Sequence, residues 1–252
     1  MKALFRQTML VLLAGACAMV IFQAVLFVKI GLMVVVNPPI TSFMRAQELA
    51  LAQPPEAPPA PGARKTPPKT QPRSGPVEIR HVWVPYEAIS RNIKRAIIAA
   101  EDSNFVEHSG IDIEALEKAY DRNRRRGKVV AGGSTITQQL AKNLFLTGQR
   151  SYVRKAEEFA ITFMLEFWLG KERIFEIYLN VVEWGVGVFG IEAASQHYYG
   201  IGAAKLGAGQ AAKLAAMLPN PRFYDRNRNA PYLMSRTGLI LSRMGDAQLP
   251  GQ

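Results

Sequence analysis

A mainly α-helical domain standing behind one transmembrane helix is the fold this sequence predicts, and three observations carry it. Residues 9–28 are apolar except for Gln23, and apolar character continues past Lys29 to Val36. About 20 such residues suffice to cross a bilayer's hydrocarbon core as one helix. Residues 37–76 hold 11 of the chain's 16 prolines, a composition that buries no core and favours extended polyproline geometry. Beyond them, apolar residues recur at helical spacing, beginning with Ile89, Ile93 and Ile97, which fall on one helix face.

The organisation therefore reads as a short cytoplasmic N-terminus (1–8), a signal anchor (9–36), a proline-rich linker (37–76) and a globular domain (77–252). An uncleaved anchor is expected, because the apolar run exceeds a signal peptide's centre. Leu13-Ala14-Gly15-Ala16-Cys17 resembles a lipoprotein processing site, but Ala14 stands where a larger aliphatic residue belongs. Lys2 and Arg6 favour a cytoplasmic N-terminus, and Lys29 and Arg45 weaken that asymmetry. Cys17, the only cysteine, lies inside the span. The body is thus thiol-free, which suits an oxidising compartment without requiring one.

The net charge is +11, of which +6 falls in residues 1–76, where eight Lys and Arg face only Glu48 and Glu56. Such a surplus suits a surface near anionic headgroups. Nucleic acid is not an expected partner, since no helix-turn-helix, zinc finger or basic–aromatic repeat is present.

Within the globular part, residues 77–84 alternate like a strand, and a short Ala-rich helix is possible at 43–52. The Ile89–Ile93–Ile97 helix ends at Glu101. Asp112 can cap the next helix, with Ile113, Leu116 and Tyr120 as its inner face and Gly127 past its end. Ser134 or Thr135 caps a helix through Leu144, and residues 151–168, 171–182, 189–199, 207–218 and 231–244 read as further helices. Leu144, Phe145 and Leu146, with Tyr152 and Val153, read either as core or as a membrane-dipping surface.

Two stretches carry the chemistry. Glu101 closes the apolar run 96–100, and partial desolvation there raises a carboxyl's pKa toward the range useful for a general acid or base. Residues 132–143 form a glycine-hinged entry into a helix, rich in hydroxyls and amides and followed by Lys142, which suits a polyhydroxylated, anionic ligand. Further on, Arg154 and Glu158 stand four apart on one helix and share a face.

Taken together, Glu101-Asp102-x-x-Phe105-x-x-His108-x-Gly110-x-Asp112, Gly132-Gly133-Ser134-Thr135-Ile136-Thr137-Gln138-Gln139-Leu140-Ala141-Lys142-Asn143, Arg154-Lys155-Ala156-Glu157-Glu158, Arg173-x-x-Glu176-x-Tyr178-Leu179-Asn180 and Gly187-x-x-Gly190-x-Glu192 resemble, in order and spacing, the five motifs of the peptidoglycan glycosyltransferases. The resemblance implies a lysozyme-like helical glycosyltransferase domain that polymerises lipid II, transferring a growing glycan strand and releasing undecaprenyl diphosphate. It implies Glu101 as the base, and Glu158 as support for the diphosphate or its metal. Lys142, Arg150, Arg154 and Lys155 match the positions that neutralise the diphosphate. Ser134, Thr135, Gln138 and Gln139 are candidate sugar contacts, with capping or packing an equal reading for the two glutamines. Asp102, Phe105 and His108 are expected to brace Glu101. A divalent cation, Mg²⁺ or Mn²⁺, is the expected cofactor. Expected partners are lipid II, the nascent strand, membrane lipid and cell-division or elongation proteins.

Other signals weigh less. Gly185-x-Gly187-x-x-Gly190 satisfies a dinucleotide fingerprint, but no strand–helix–strand unit surrounds it and Lys205 stands where an acid belongs. No S-x-x-K or K-T-G occurs, so no penicillin-binding transpeptidase activity is expected. Three scattered histidines offer no structural zinc site. Two rivals stand beside the polymerase: a lytic glycosidase using Glu101 as acid, which the cations and the anchor oppose, and an inactive scaffold, which the retention of Glu101 and Glu158 opposes.

Overall fold

The computed structural model describes residues 1–52, 78–128, 132–149 and 151–251. Arg150, Val77 and most of the proline-rich segment lie outside these residues. Eleven α-helices are present among them: α1 (Lys2–Leu32), α2 (Ser42–Ala52), α3 (Arg91–Glu101), α4 (Ile113–Arg126), α5 (Ile136–Phe145), α6 (Tyr152–Trp168), α7 (Lys171–Val181), α8 (Ile191–Tyr199), α9 (Ala208–Met217), α10 (Pro221–Arg226) and α11 (Pro231–Arg243). The mainly helical class expected from the sequence is the class found.

The core forms where α9 packs between α3 and α11, and where α5 packs on α6 and α7. Small buried residues on α9 (Ala211, Ala212, Ala215 and Ala216) let its neighbours approach closely. Phe105, Phe175, Tyr178, Trp184 and Phe189 are fully buried around this centre. The Ile89–Ile93–Ile97 face is buried as its spacing requires. Ser90 Oγ caps α3 by accepting from the Asn92 N–H (3.2 Å).

A small sheet accompanies the helices. β1 (Arg80–His81) runs parallel to β3 (Val188–Phe189), and β2 (Glu183–Gly185) lies antiparallel on the other side of β3, in the order β1-β3-β2. Most of the alternation at 77–84 therefore stays outside regular strand. The helix expected from 189 starts at Ile191, because Val188 and Phe189 pair in the sheet. Gly187 and Gly190 have positive φ (75° and 79°), and a Cβ on Gly190 would lie 2.4 Å from the Asn180 carbonyl oxygen. The glycine pattern thus serves a hairpin and a close backbone approach.

Residues Leu4–Leu32 are long and apolar enough to cross a membrane. The far end of α1 docks on the body. Leu26, Ile30 and Met33 are buried against it. The Phe27 ring lies 5.5 Å from Phe167 and 5.0 Å from Trp168 on α6, and a Cβ on Gly31 would come within 3.1 Å of the Trp168 ring. Arg173 then grips the exit of the helix: Nε donates to the Met33 carbonyl (2.9 Å), Nη2 to Asn37 Oδ1 (2.7 Å) and Nη1 to Glu176 (2.7 Å).

α4 departs from expectation. Ile113, Leu116 and Tyr120 are 66%, 46% and 66% exposed, and Ala119 is the one buried residue of the helix. Asp112 Oδ1 caps it by accepting from the Ala115 N–H (2.7 Å), and Gly133 sits so close that a Cβ would lie 3.0 Å from Leu116 Cα. The helix touches the body along its small-residue edge, which turns the larger apolar residues outward. The second uncertain group divides: Leu144 and Leu146 are core, Phe145 is half-buried, and Tyr152 and Val153 are exposed.

Candidate active site

Glu101 is the last residue of α3, held at the end of its buried face, and its side chain is 11% exposed. Oε2 accepts from Gln139 Nε2 (3.0 Å) on α5, and Oε1 from Arg236 Nη2 (3.3 Å) on α11. Tyr178 Oη donates to Gln139 Oε1 (3.0 Å), which leaves the amide NH₂ turned to Glu101. Burial raises the Glu101 pKa above the ordinary carboxylate value. The Gln139 hydrogen bond and the Arg236 and Lys142 charges only partly oppose this, and Asp102 adds to it. A carboxyl that holds its proton more readily than usual, beside a cleft, suits proton transfer.

The loop after Glu101 is stapled to the start of α5. Asp102 Oδ1 accepts from His108 Nε2 (2.9 Å), while Oδ2 accepts from the Ile136 N–H (2.9 Å) in the first turn of α5. Thr135 Oγ1 donates to the Gly110 carbonyl (2.6 Å), and Phe105 packs 5.5 Å from the Phe175 ring. Thr135, rather than Ser134, is the cap. It forms a capping box with Gln138, whose Oε1 accepts from the Thr135 N–H (3.1 Å). Gln138 is buried in that role, and Gln139 is engaged by Glu101 and Tyr178. Ser134 stands exposed at the mouth of a cleft of about 330 Å³ that also takes in Glu101, Asn104 and Arg122. A larger cavity, about 670 Å³ and lined by Arg95, Lys171 and Gly245–Gly251, contains none of the expected site residues.

Farther along α5 the charge becomes positive. Ser151 caps α6 by accepting from the Arg154 N–H (3.1 Å). The α6 side chains then converge: Arg154 Nη1 donates to Glu158 Oε2 (2.8 Å), Lys155 Nζ donates to Glu158 Oε1, and the Glu158 side chain is 4% exposed. Lys142 lies three residues beyond Gln139 on the same helix face and feels both carboxylates. Burial lowers its pKa, Glu158 and Glu101 raise it, and Arg154 and Lys155 lower it further. Arg154 Nε and Arg236 Nε are buried without a hydrogen-bond partner, so a spare donor stands at each end of this face. Arg150 lies outside the described residues.

Arg236 had no signal in the sequence. It lies 135 residues from Glu101 in an ordinary amphipathic helix, and only packing of α11 beside α3 brings it to the carboxylate.

The candidate metal donors are already engaged in hydrogen bonds or ion pairs. Both Glu158 oxygens accept from cations. Asp102, His108 and Asp112 present ligand atoms within 4.8 Å of one another, but both Asp102 oxygens are hydrogen-bonded. Asp112 likewise accepts from Ala115 N–H and from Asn104 Nδ2. As placed, this group ties the loop after Glu101 to the starts of α4 and α5.

Residues 70–245 match the family model described as Transglycosylase. Proteins named biosynthetic peptidoglycan transglycosylase are similar along the chain. The one from Herminiimonas arsenicoxydans is 57% identical over 250 residues, covering 99% of this chain and 100% of the relative. That of Janthinobacterium sp. (strain Marseille) is 56% identical over the same length and shares. That of Burkholderia thailandensis is 60% identical over 174 residues, covering 69% of this chain and 68% of its own. With a buried carboxyl of raised pKa beside cations gathered from α5 and α6, and with these relatives, the chain belongs to the transglycosylase family and is a glycosyltransferase of peptidoglycan synthesis.

Proposed function

We propose that the enzyme polymerises lipid II, and the observation that carries this is the gathering of Lys142, Arg154 and Lys155 on one side of a buried Glu101. Joining an α-linked diphosphate donor into a β-linked strand requires inversion, hence one displacement with a base on the acceptor side. Glu101 removes the proton from the GlcNAc 4-hydroxyl of lipid II, and that oxygen attacks the MurNAc anomeric carbon of the growing strand. The bond from that carbon to the diphosphate breaks, and the electron pair leaves with undecaprenyl diphosphate. Negative charge grows on the leaving group, so cations placed beforehand at Lys142, Arg154 and Lys155 stabilise the transition state without reorganising. Glu158 keeps Arg154 and Lys155 aimed, and Gln139, held by Tyr178, keeps Glu101 aimed. Asp102, with His108 and Phe105, sets the start of α5. Ser134, exposed at the cleft mouth, meets sugar hydroxyls, while Thr135 and Gln138 shape the turn behind it. A divalent cation would be carried on the diphosphate rather than bound by protein ligands alone.

α1 anchors the enzyme in the bacterial inner membrane, with the catalytic body on the extracytoplasmic side where lipid II is presented. The exposed Tyr152, Val153, Phe163 and Phe167 then face lipid. No transpeptidase activity accompanies the polymerase, and cell-division or elongation proteins are its expected neighbours.

The test is glycan-strand formation from labelled lipid II by the purified full chain beside Glu101→Gln. Long polymer from the wild type and none from the variant is expected. Polymer from both would remove Glu101 as base, and none from either, across detergents and Mg²⁺ concentrations, would overturn the function.

A further inference from the structure

The family match begins at residue 70, yet residues well before it wall the cationic end of the site. α2 lies against α5, fixed by Ser42 Oγ donating to the Leu144 carbonyl (2.9 Å) and by the buried Met44. This sets the Phe43 ring 6.0 Å from Lys142 Nζ. Three residues farther along α5, the Phe145 ring lies 5.4 Å from Lys29 Nζ, near the end of α1. Phe43 and Phe145 are each half-buried, whereas Met44, Leu144 and Leu146 beside them are buried. Each ring therefore stays partly exposed beside its lysine.

The chemistry changes in order along this path. Lys142 offers charge, Phe43 and Phe145 offer partly exposed apolar surface, and Lys29 beside Phe145 belongs to the membrane-length helix, which the exposed Val34, Val35 and Val36 follow in the chain. A diphosphate ester of a long hydrocarbon has the same sequence of groups, an anion followed at once by an apolar chain running toward a bilayer. We propose that Phe43 and Phe145, with Lys29 at their edge, form a subsite for the prenyl units next to the diphosphate. The N-terminal segment is then part of the substrate site as well as a tether. This rests on the reading that Lys142 meets the substrate's diphosphate. Phe43 acts here by contact with hydrocarbon, so a different apolar side chain of similar reach should serve.

The experiment compares kcat/KM of the full chain on lipid II with its natural prenyl chain and with a shortened one, for wild type, Phe43→Ala and Phe43→Leu. In Phe43→Ala the long-over-short preference is expected to fall about tenfold, chiefly through KM on the long substrate, as for loss of one well-buried apolar contact. Phe43→Leu should restore most of the preference. An unchanged preference in Phe43→Ala, or an equal loss on both substrates through kcat, would overturn the subsite and leave Phe43 as support for Lys142. Loss in Phe43→Leu as deep as in Phe43→Ala would replace the subsite with a cation–π role. Failure of the wild type to polymerise either substrate would overturn the proposed function and this proposal together, an outcome distinct from the variants' failure.

Discussion

Glu101 and Glu158 are the same residue type in nearly the same degree of burial, with side chains 11% and 4% exposed, yet their surroundings differ in kind. Around Glu101 stand an amide at 3.0 Å and one guanidinium at 3.3 Å, so burial dominates and the carboxyl holds its proton more readily than usual. Around Glu158 each oxygen is taken by a cation of its own helix. The first arrangement leaves a group free to exchange a proton. The second spends its group on orienting Arg154 and Lys155. Burial alone therefore does not make a catalytic carboxylate; the number and closeness of compensating donors decide which task it performs.

The strongest way to break this contrast is to remove each charge separately. Glu101→Gln is expected to lower kcat by about 10²–10⁴, the usual weight of general-base catalysis, with the melting temperature nearly unchanged. Glu158→Gln is expected to lower both activity and stability, the latter by about 1–3 kcal/mol, because it strands partly buried cations. Calorimetry of the two variants decides: an equal drop in melting temperature for both would erase the distinction. Next in size is Asp102→Asn, which weakens the hold on His108 and on the Ile136 N–H. It should cost about 1–2 kcal/mol in denaturant unfolding and lower kcat as α5 loses its register.

The pH profile sharpens the contrast further. A base must be ionised, so kcat/KM should fall as pH drops through a midpoint above the ordinary glutamate range. Arg236→Gln removes a charge that lowers the Glu101 pKa, so that limb should move to higher pH, whereas a change at α4 should not move it. The linkage sign agrees: the fold favours protonated Glu101, so its contribution to stability is present at low pH and lost as pH rises through the raised pKa. The smallest effect on catalysis is expected from neutralising Arg124, Arg125, Arg126 and Lys128, which do not line the Glu101 cleft. Vesicle sedimentation should show weaker binding to anionic lipid, by up to about 1 kcal/mol per cation. Unchanged binding would make that face an ordinary solvated one.

Much of this was legible because it is local. The cap at Asp112, the Ile89–Ile93–Ile97 face and the Arg154–Glu158 spacing are each written within a few residues and lie where their spacing placed them, and the α5 cap falls on Thr135, one of the two residues the sequence offered. What stayed hidden depends on distant neighbours. Ile113, Leu116 and Tyr120 have the periodicity of an inner face, but periodicity reports that a helix is two-sided and not what stands opposite. Arg236 reaches Glu101 through the packing of α3, α9 and α11, and no spacing encodes that meeting. The β2–β3 hairpin is too short to outweigh a helical reading, and its glycines are explained only in three dimensions, Gly187 by its positive φ and Gly190 by the Asn180 carbonyl pressed against it.

The grip of Arg173 on Met33 and Asn37, with the notch of Gly31 on Trp168, has a mechanical consequence. α6 holds Arg154, Lys155 and the docking face for α1, so the proposed anchor and the cationic side of the cleft are joined through one helix. A helix tilts to match the thickness of the bilayer around it. With α1 as the proposed anchor, any such tilt is passed to the height and angle at which the cleft meets its substrate, so that the activity is expected to vary with the lipid thickness of the membrane.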